Sequence, residues 1–337
     1  MKNILLIFLC CLAGKQVMAQ DPQFSQFYAA PLYLAPSFAG TTDGSRFALN
    51  FRDQWPAIPK GFVTYAACFD HNIQSLSSGI GINFMRDQAG SGKMARTTAG
   101  IAYSYRIPVT EKIQVRPGIS FYNTTQSIDF YNLTFGDQIT LSGTASNSIE
   151  VPILNKTNNF DAGASLLTYS EAYWFGSSID HLIHPNQTFF MGSESILPMK
   201  LTVFGGGKFK RSKSTKRLLH EESLSFAFMY KMQGKYDQFD LGGYWSRAPL
   251  ITGIWYRGLP LFKGYSHGYA NNDAIVILIG LKTKACTMGY SYDLTISRLA
   301  GNSGGSHELS LLFKINQAPR KRKASDVPCP QFTDYSF

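Results

Sequence analysis

Between residues 46 and 315 the chain is written in runs of about ten residues whose polarity alternates one by one, and this restricts the fold more than any other feature. In one such run Cys286, Met288, Tyr290, Tyr292, Leu294 and Ile296 alternate with Thr287, Gly289, Ser291, Asp293, Thr295 and Ser297. In another, Leu224, Phe226, Phe228, Tyr230 and Met232 alternate with Ser223, Ser225, Ala227, Met229 and Lys231. A third sets Ile113, Val115, Ile119 and Phe121 against Gln114, Arg116, Gly118 and Ser120. A period of two sends successive side chains to opposite faces of a strand, so one face is apolar and the other polar. Runs of this kind cover 46–53, 62–70, 79–86, 95–106, 112–123, 160–168, 172–181, 199–209, 223–233, 236–245, 250–257, 273–283, 286–297 and 306–315. That makes about fourteen, an even number as bacterial outer-membrane barrels require. The expected fold is all-β: a transmembrane antiparallel up-and-down β-barrel with lipid outside and a polar lumen.

Connection lengths point the same way. Those after odd-numbered runs include the long 124–159, 182–198 and 258–272, whereas those after even-numbered runs are mostly brief, such as 108–111, 170–171 and 284–285. Outer-membrane barrels have short periplasmic turns and long outer loops. The basic stretch 210–222 is the exception, read here as a long periplasmic turn. Charged residues are 16% of the chain and aromatics 14%, against roughly 25% charged in ordinary soluble domains. A chain so poor in charge needs an apolar solvent over part of its surface. No segment after the leader approaches the run of about eighteen apolar residues that a spanning helix needs.

The first nineteen residues read as a secretory signal peptide: Lys2, an apolar run from Ile4 to Leu12, and Val17-Met18-Ala19 before a cut ahead of Gln20. Cys10 and Cys11 lie inside the apolar run, so the mature end is expected to carry no lipid. Cys68, Cys286 and Cys329 remain after the cut, too few and too scattered for a disulfide framework or a CxxC metal site. The net charge of +10 is spread over turns and strand ends, which together with export argues against nucleic acid as a partner.

Two segments flank the barrel. Residues 20–45 open it with QDPQFSQFYAAPLYLAPSFAG, in which Pro22, Pro31 and Pro36 interrupt any long helix and Phe24, Phe27, Tyr28, Tyr33 and Phe38 need cover. A plug in the barrel mouth or an element under its floor is favoured over a periplasmic docking strip. At the other end, residues 316–337 form a basic tail, expected to be periplasmic like the amino terminus. Its Arg320-Lys321-Arg322-Lys323 is either a docking patch for an acidic partner or a solvated linker, while Cys329, Pro330 and Phe332 suit a loose linker poorly. The candidate partner-binding residues are therefore Phe24, Phe27, Tyr28, Tyr33, Arg320, Lys321, Arg322, Lys323, Cys329, Pro330 and Phe332.

The order and spacing of several motifs resemble the PorP/SprF family, outer-membrane proteins of the type IX secretion and gliding apparatus of Bacteroidetes. They are the opening QDPQFSQFYAAPLYLAPSFAG, FRDQWPAI at 51–58, GIGINFMRDQAGSG at 79–92, GIWYRG at 253–258, YSYDLTISRLAGNSGGSHELSL at 290–311 and VPCPQF at 327–332. The family commonly has Asn before the two prolines of its opening motif, where this chain has Ala30 and Ala35. The resemblance implies a non-enzymatic barrel that supports secretion or display of a surface protein such as an adhesin, working with periplasmic components of the machinery. The alternative reading is a transporter of a small apolar solute with the opening segment as a movable hatch.

Inward charges such as Arg116, Asp293 and Glu308 are expected to pair with one another across the lumen, since an unpaired charge there is costly. Trp55 is expected in the interfacial aromatic girdle. Catalysis has little support. His181 and His184 are the only histidines close in sequence, and their spacing converges only on a helix, where the local pattern is strand then loop. The phosphate-loop-like Gly90-Ser91-Gly92-Lys93 is followed by Met94 rather than Ser or Thr. No catalytic residue, cofactor or metal site is expected.

Overall fold

The computed structural model describes residues 21–140, 143–144, 154–190, 194–213, 220–259, 271–283, 285–316 and 329. Its strands are β1 Gly44–Gln54, β2 Phe62–Ile73, β3 Ser78–Ala89, β4 Met94–Tyr105, β5 Gln114–Ser127, β6 Lys156–Tyr169 and β7 Tyr173–Asp180. The second half supplies β8 Lys200–Lys213, β9 His220–Gln233, β10 Tyr236–Arg247, β11 Leu250–Leu259, β12 Asn271–Lys282, β13 Cys286–Thr295 and β14 Ser306–Asn316. Among the described residues they form one 15-stranded sheet whose remaining member is only the two-residue Ile107–Pro108, so fourteen strands build the wall. Every neighbouring pair is antiparallel, and the first strand meets the last in an unbroken register from Gly44 opposite Asn316 to Gln54 opposite Ser306. Closure removes both sheet edges, the condition that lipid sets for strands.

The alternation read from the sequence is the alternation of the wall. In β13, Met288, Tyr290 and Leu294 are exposed while Thr287, Gly289, Ser291, Asp293 and Thr295 are buried. Ile254 and Ile277 keep 62% and 55% of their surface exposed in mid-strand, whereas the charged Arg52 and Glu308 keep 2% and 0%. An apolar outside and a polar inside invert the soluble pattern and suit a strand in a bilayer. Among the described residues no helix is long and apolar enough to cross a membrane.

Two boundaries differ from expectation. The basic stretch 210–222 is mostly strand: β8 and β9 stay paired out to Lys213 opposite His220, which leaves only 214–219 as connection. Charged side chains read as a loop, but ladder hydrogen bonds need no apolar face once the strands pass beyond the lipid. The long connection after β5 narrows to 128–155 and includes the two-residue strands Ile139–Thr140 and Gly143–Thr144, paired with each other.

The strand ends joined by 55–61, 90–93, 128–155, 181–199, 234–235, 260–270 and 296–305 form one rim, called the upper. The strand ends joined by 74–77, 106–113, 170–172, 214–219, 248–249 and 283–285 form the lower rim, where β1 also begins and β14 ends.

Residues 21–43 pack inside this ring. The prolines start short turns instead of excluding them: Pro31 opens the one-turn helix Pro31–Leu34, and Pro36 opens the 3-10 turn Pro36–Phe38. A proline at the first position of a turn loses no hydrogen bond, because its missing N–H would have had no partner there. Phe27, Tyr28, Leu32, Leu34 and Phe38 form one buried cluster with the inward-facing Leu167, Trp174, Phe204, Tyr244 and Trp255. The hydrophobic core of the molecule therefore lies in the lumen.

Candidate functional site

The upper part of the lumen holds a network around Ser25. Its Oγ donates to Asp293 Oδ2 at 2.7 Å and accepts from Arg52 Nη1 at 2.7 Å and Arg257 Nη2 at 2.8 Å. One hydroxyl thus uses its single donor and both lone pairs. Arg52 also reaches Asp293 and Glu308, and Arg257 reaches Asp240 and Asp293. Glu308 accepts the backbone N–H of Ser25 at 2.7 Å and of Gln26 at 3.0 Å. Gln26 is completed by Ser291 and Ser310.

Asp21 anchors the front of the segment. It accepts from Arg96 at 2.7 Å and Lys200 at 2.9 Å, and it bonds His181 Nε2 at 2.8 Å, while His181 Nδ1 faces Asp161. Burial would raise the Asp21 carboxyl, but the cations Lys200, Arg96 and His181 outweigh it and hold the group well below the usual carboxylate range. Burial would likewise lower the His181 imidazole, and the carboxylates Asp21 and Asp161 outweigh that and raise it.

The segment then descends. Phe27 meets Trp255 edge-on at 4.9 Å, Tyr28 meets Tyr244 at 5.2 Å, and Phe38 lies 5.5 Å from Phe204. Ser178 Oγ donates to the carbonyl of Leu34, and Ser37 N–H donates to Ser165 Oγ. At the lower end Gly40 N–H donates to Asp70 at 2.8 Å, Asp70 pairs with Arg46, and Arg46 also holds the Phe38 carbonyl. Gly40 has φ +62, a conformation that side-chain-bearing residues avoid. The wall makes room for this close approach: a Cβ on Gly79 would lie 2.1 Å from the Ala39 oxygen, and one on Gly118 2.3 Å from the Ser37 nitrogen.

Phe24, Phe27, Tyr28 and Tyr33 are thus placed together in the lumen, with Phe24 and Tyr33 in edge contact and the Tyr33 hydroxyl on the Pro22 carbonyl. Cys329 is buried in the same cluster as Phe38 and Leu167. Arg320, Lys321, Arg322, Lys323, Pro330 and Phe332 lie outside the described residues. Asp293 and Glu308 do take part in lumen ion pairs. Arg116 departs from expectation: it donates to the Ala39 carbonyl at 2.8 Å and to Ser104, because the segment's backbone offers acceptors where a partner acid was expected. Sequence reading missed Asp21, Ser25, Gln26, Arg52, Asp240 and Arg257. The available signal was parity, since Arg52, Asp240 and Arg257 all occupy inward positions of their strands.

Among the described residues, no group of His, Cys, Asp and Glu converges as a metal site would. What the arrangement does chemically is hold a polypeptide segment inside a ring by charge-assisted hydrogen bonds. The family model for the type IX secretion system membrane protein PorP/SprF matches residues 16–313. The chain belongs to the PorP/SprF family. This PorP/SprF protein is accordingly an outer-membrane barrel of type IX secretion, in a family of secretion-system membrane components rather than enzymes. The family does not favour the transporter reading. Among curated proteins, none matches the chain in sequence.

Solved structures similar to it include the outer membrane protein Omp33 of Acinetobacter baumannii, at 8% identity and TM-score 0.42, covering 81% of this chain and 99% of that one. CdiB from Acinetobacter baumannii is similar at 9% identity and TM-score 0.43, covering 81% and 60%. BamA from Haemophilus ducreyi lacking POTRA domains 1-3 follows at 8% identity and TM-score 0.36, covering 80% and 69%.

Proposed function

We propose that this PorP/SprF protein is a closed, non-enzymatic scaffold of the secretion machinery whose residues 20–45 act as a plug. The upper-rim connections face outward and hold or hand over a secreted surface protein such as an adhesin. The lower rim faces the periplasm, and the tail 316–337 reaches periplasmic components of the machinery through Arg320–Lys323. The observation that carries the reading is the bonding of one short segment to inward side chains around the ring, from Glu308 of β14 through Asp70 of β2 to Ser178 of β7. A segment fixed on all sides suits a rigid platform better than a passage. The burial of Cys329 supports a tail that is fixed at that residue.

The test is affinity purification from native membranes in mild detergent, comparing the full chain with one lacking residues 316–337. The shortened barrel is expected to insert and fold while losing periplasmic partners. Unchanged co-purification counts against docking through the tail.

A further inference from the structure

A cavity of about 330 Å³ remains in the lumen, between the front of the plug segment and the upper ends of the strands. Its wall includes the apolar side chains of Phe24, Phe27 and Met229 and the side-chain amides of Gln238 and Asn272. Lys231, on β9, also lines it. The neighbouring ammonium, Lys200, is already paired with Asp21 and Asp180. Lys231 is different: among the described residues it makes no ion pair or hydrogen bond. The inward acid of the adjacent β10, Asp240, has given one oxygen to Arg257 and the other to Gln238. An ammonium set in a partly apolar cavity without an acceptor is costly, and a ligand anion is the group that would relieve it.

We propose that this cavity binds a singly charged carboxylate carried on an apolar body, with Lys231 Nζ as its anchor. Charge decides the anion: one unengaged cation, in a wall that also contains Asp21, Asp237 and Asp273, matches one negative charge and disfavours a dianion such as phosphate. The apolar body packs on Phe24, Phe27 and Met229. The amides of Gln238 and Asn272 offer both donors and acceptors to polar groups beside the carboxylate, such as a peptide bond. A free small-molecule acid and the carboxyl end of a peptide share this chemistry.

The probes are N-acetyl-phenylalanine, its uncharged amide, and the tripeptide Gly-Gly-Phe as acid and as amide, titrated by calorimetry into the full chain in detergent. Each acid is expected to bind at least about tenfold more tightly than its amide, as a charge-assisted contact provides. A tripeptide acid tighter than the acetylated residue identifies a chain end as the natural occupant, and the reverse identifies a small acid. Lys231→Met is expected to remove the preference for acid, and Lys231→Arg to keep it. Both variants are checked for folding by the heat-dependent gel shift of a barrel. Equal binding of acids and amides, binding by neither, or an acid preference that survives Lys231→Met in a folded barrel overturns the proposal.

Discussion

Glu308, on the strand that closes the barrel, accepts the backbone N–H of Ser25 at 2.7 Å, joining residues 283 positions apart. The same carboxylate holds Arg52 and the N–H of Gln26. Replacing it takes one of two carboxylates from the buried Arg52 guanidinium, which keeps Asp293, and leaves two backbone donors without their acceptor. Breaking a buried pair in this way costs about 3–5 kcal/mol. Glu308→Ala is therefore expected to raise amide hydrogen exchange at Ser25 and Gln26 on the order of a hundredfold or more, while strand amides remain protected. Exchange measured in detergent by mass spectrometry checks this, and unchanged protection at those two amides would refute the latch.

Gly118 tests close approach. A Cβ there would lie 2.3 Å from the Ser37 nitrogen and 2.6 Å from the Pro36 carbonyl carbon, both backbone atoms that have nowhere to yield. Gly118→Val is expected to dislodge the segment and expose it to protease without abolishing the barrel. Gly136→Ala is the control, because nothing lies within 4 Å of its added Cβ. Limited proteolysis of the two variants should separate them clearly.

The acid and base limits of the front anchor follow from Asp21 and His181. Asp21 has its carboxyl lowered in the folded state, so its contribution is present above the unfolded value of about 3.9 and is lost as pH falls through the lower folded value. His181 is raised, so its contribution is complete below about 6.5 and is lost as pH rises through the higher folded value. Docking of the front of the segment should accordingly be strongest between mildly acidic pH and the region of 6.5. Asp21→Asn should flatten the acid limb of a pH series of proteolytic protection and shrink the alkaline one, which Asp161 still supports, whereas His181→Gln should flatten only the alkaline one.

The outer face makes a prediction of the opposite kind. Ile277 stands in mid-strand on β12 with 55% of its surface exposed. In water Ile277→Arg would change stability little, but at the middle of a bilayer it should cost about 2–4 kcal/mol. Urea titration of the barrel folded into vesicles measures the difference, and a change within experimental scatter would mean that this face does not meet lipid.

The strands of the wall were legible because period two is local: each of the fourteen runs carries its own evidence, and their errors fell at ends such as Lys213, where charge masked a continuing ladder. The contents of the lumen were less legible for a physical reason. Arg52, Asp293 and Arg257 meet over Ser25 only after the ring has closed, and no local pattern encodes that meeting. Aromatic residues at inward positions, Phe204, Tyr244 and Trp255, were the remaining clue, since a purely water-filled lumen would have no use for them.

The most direct test of a barrel filled by its own amino-terminal segment is single-channel conductance in a planar bilayer. The intact chain should insert without opening, and a chain lacking residues 21–38, if it still shows the heat-dependent gel shift, should conduct in discrete steps. An intact chain that conducts like an open pore, or a folded deletion that stays silent, would contradict the account.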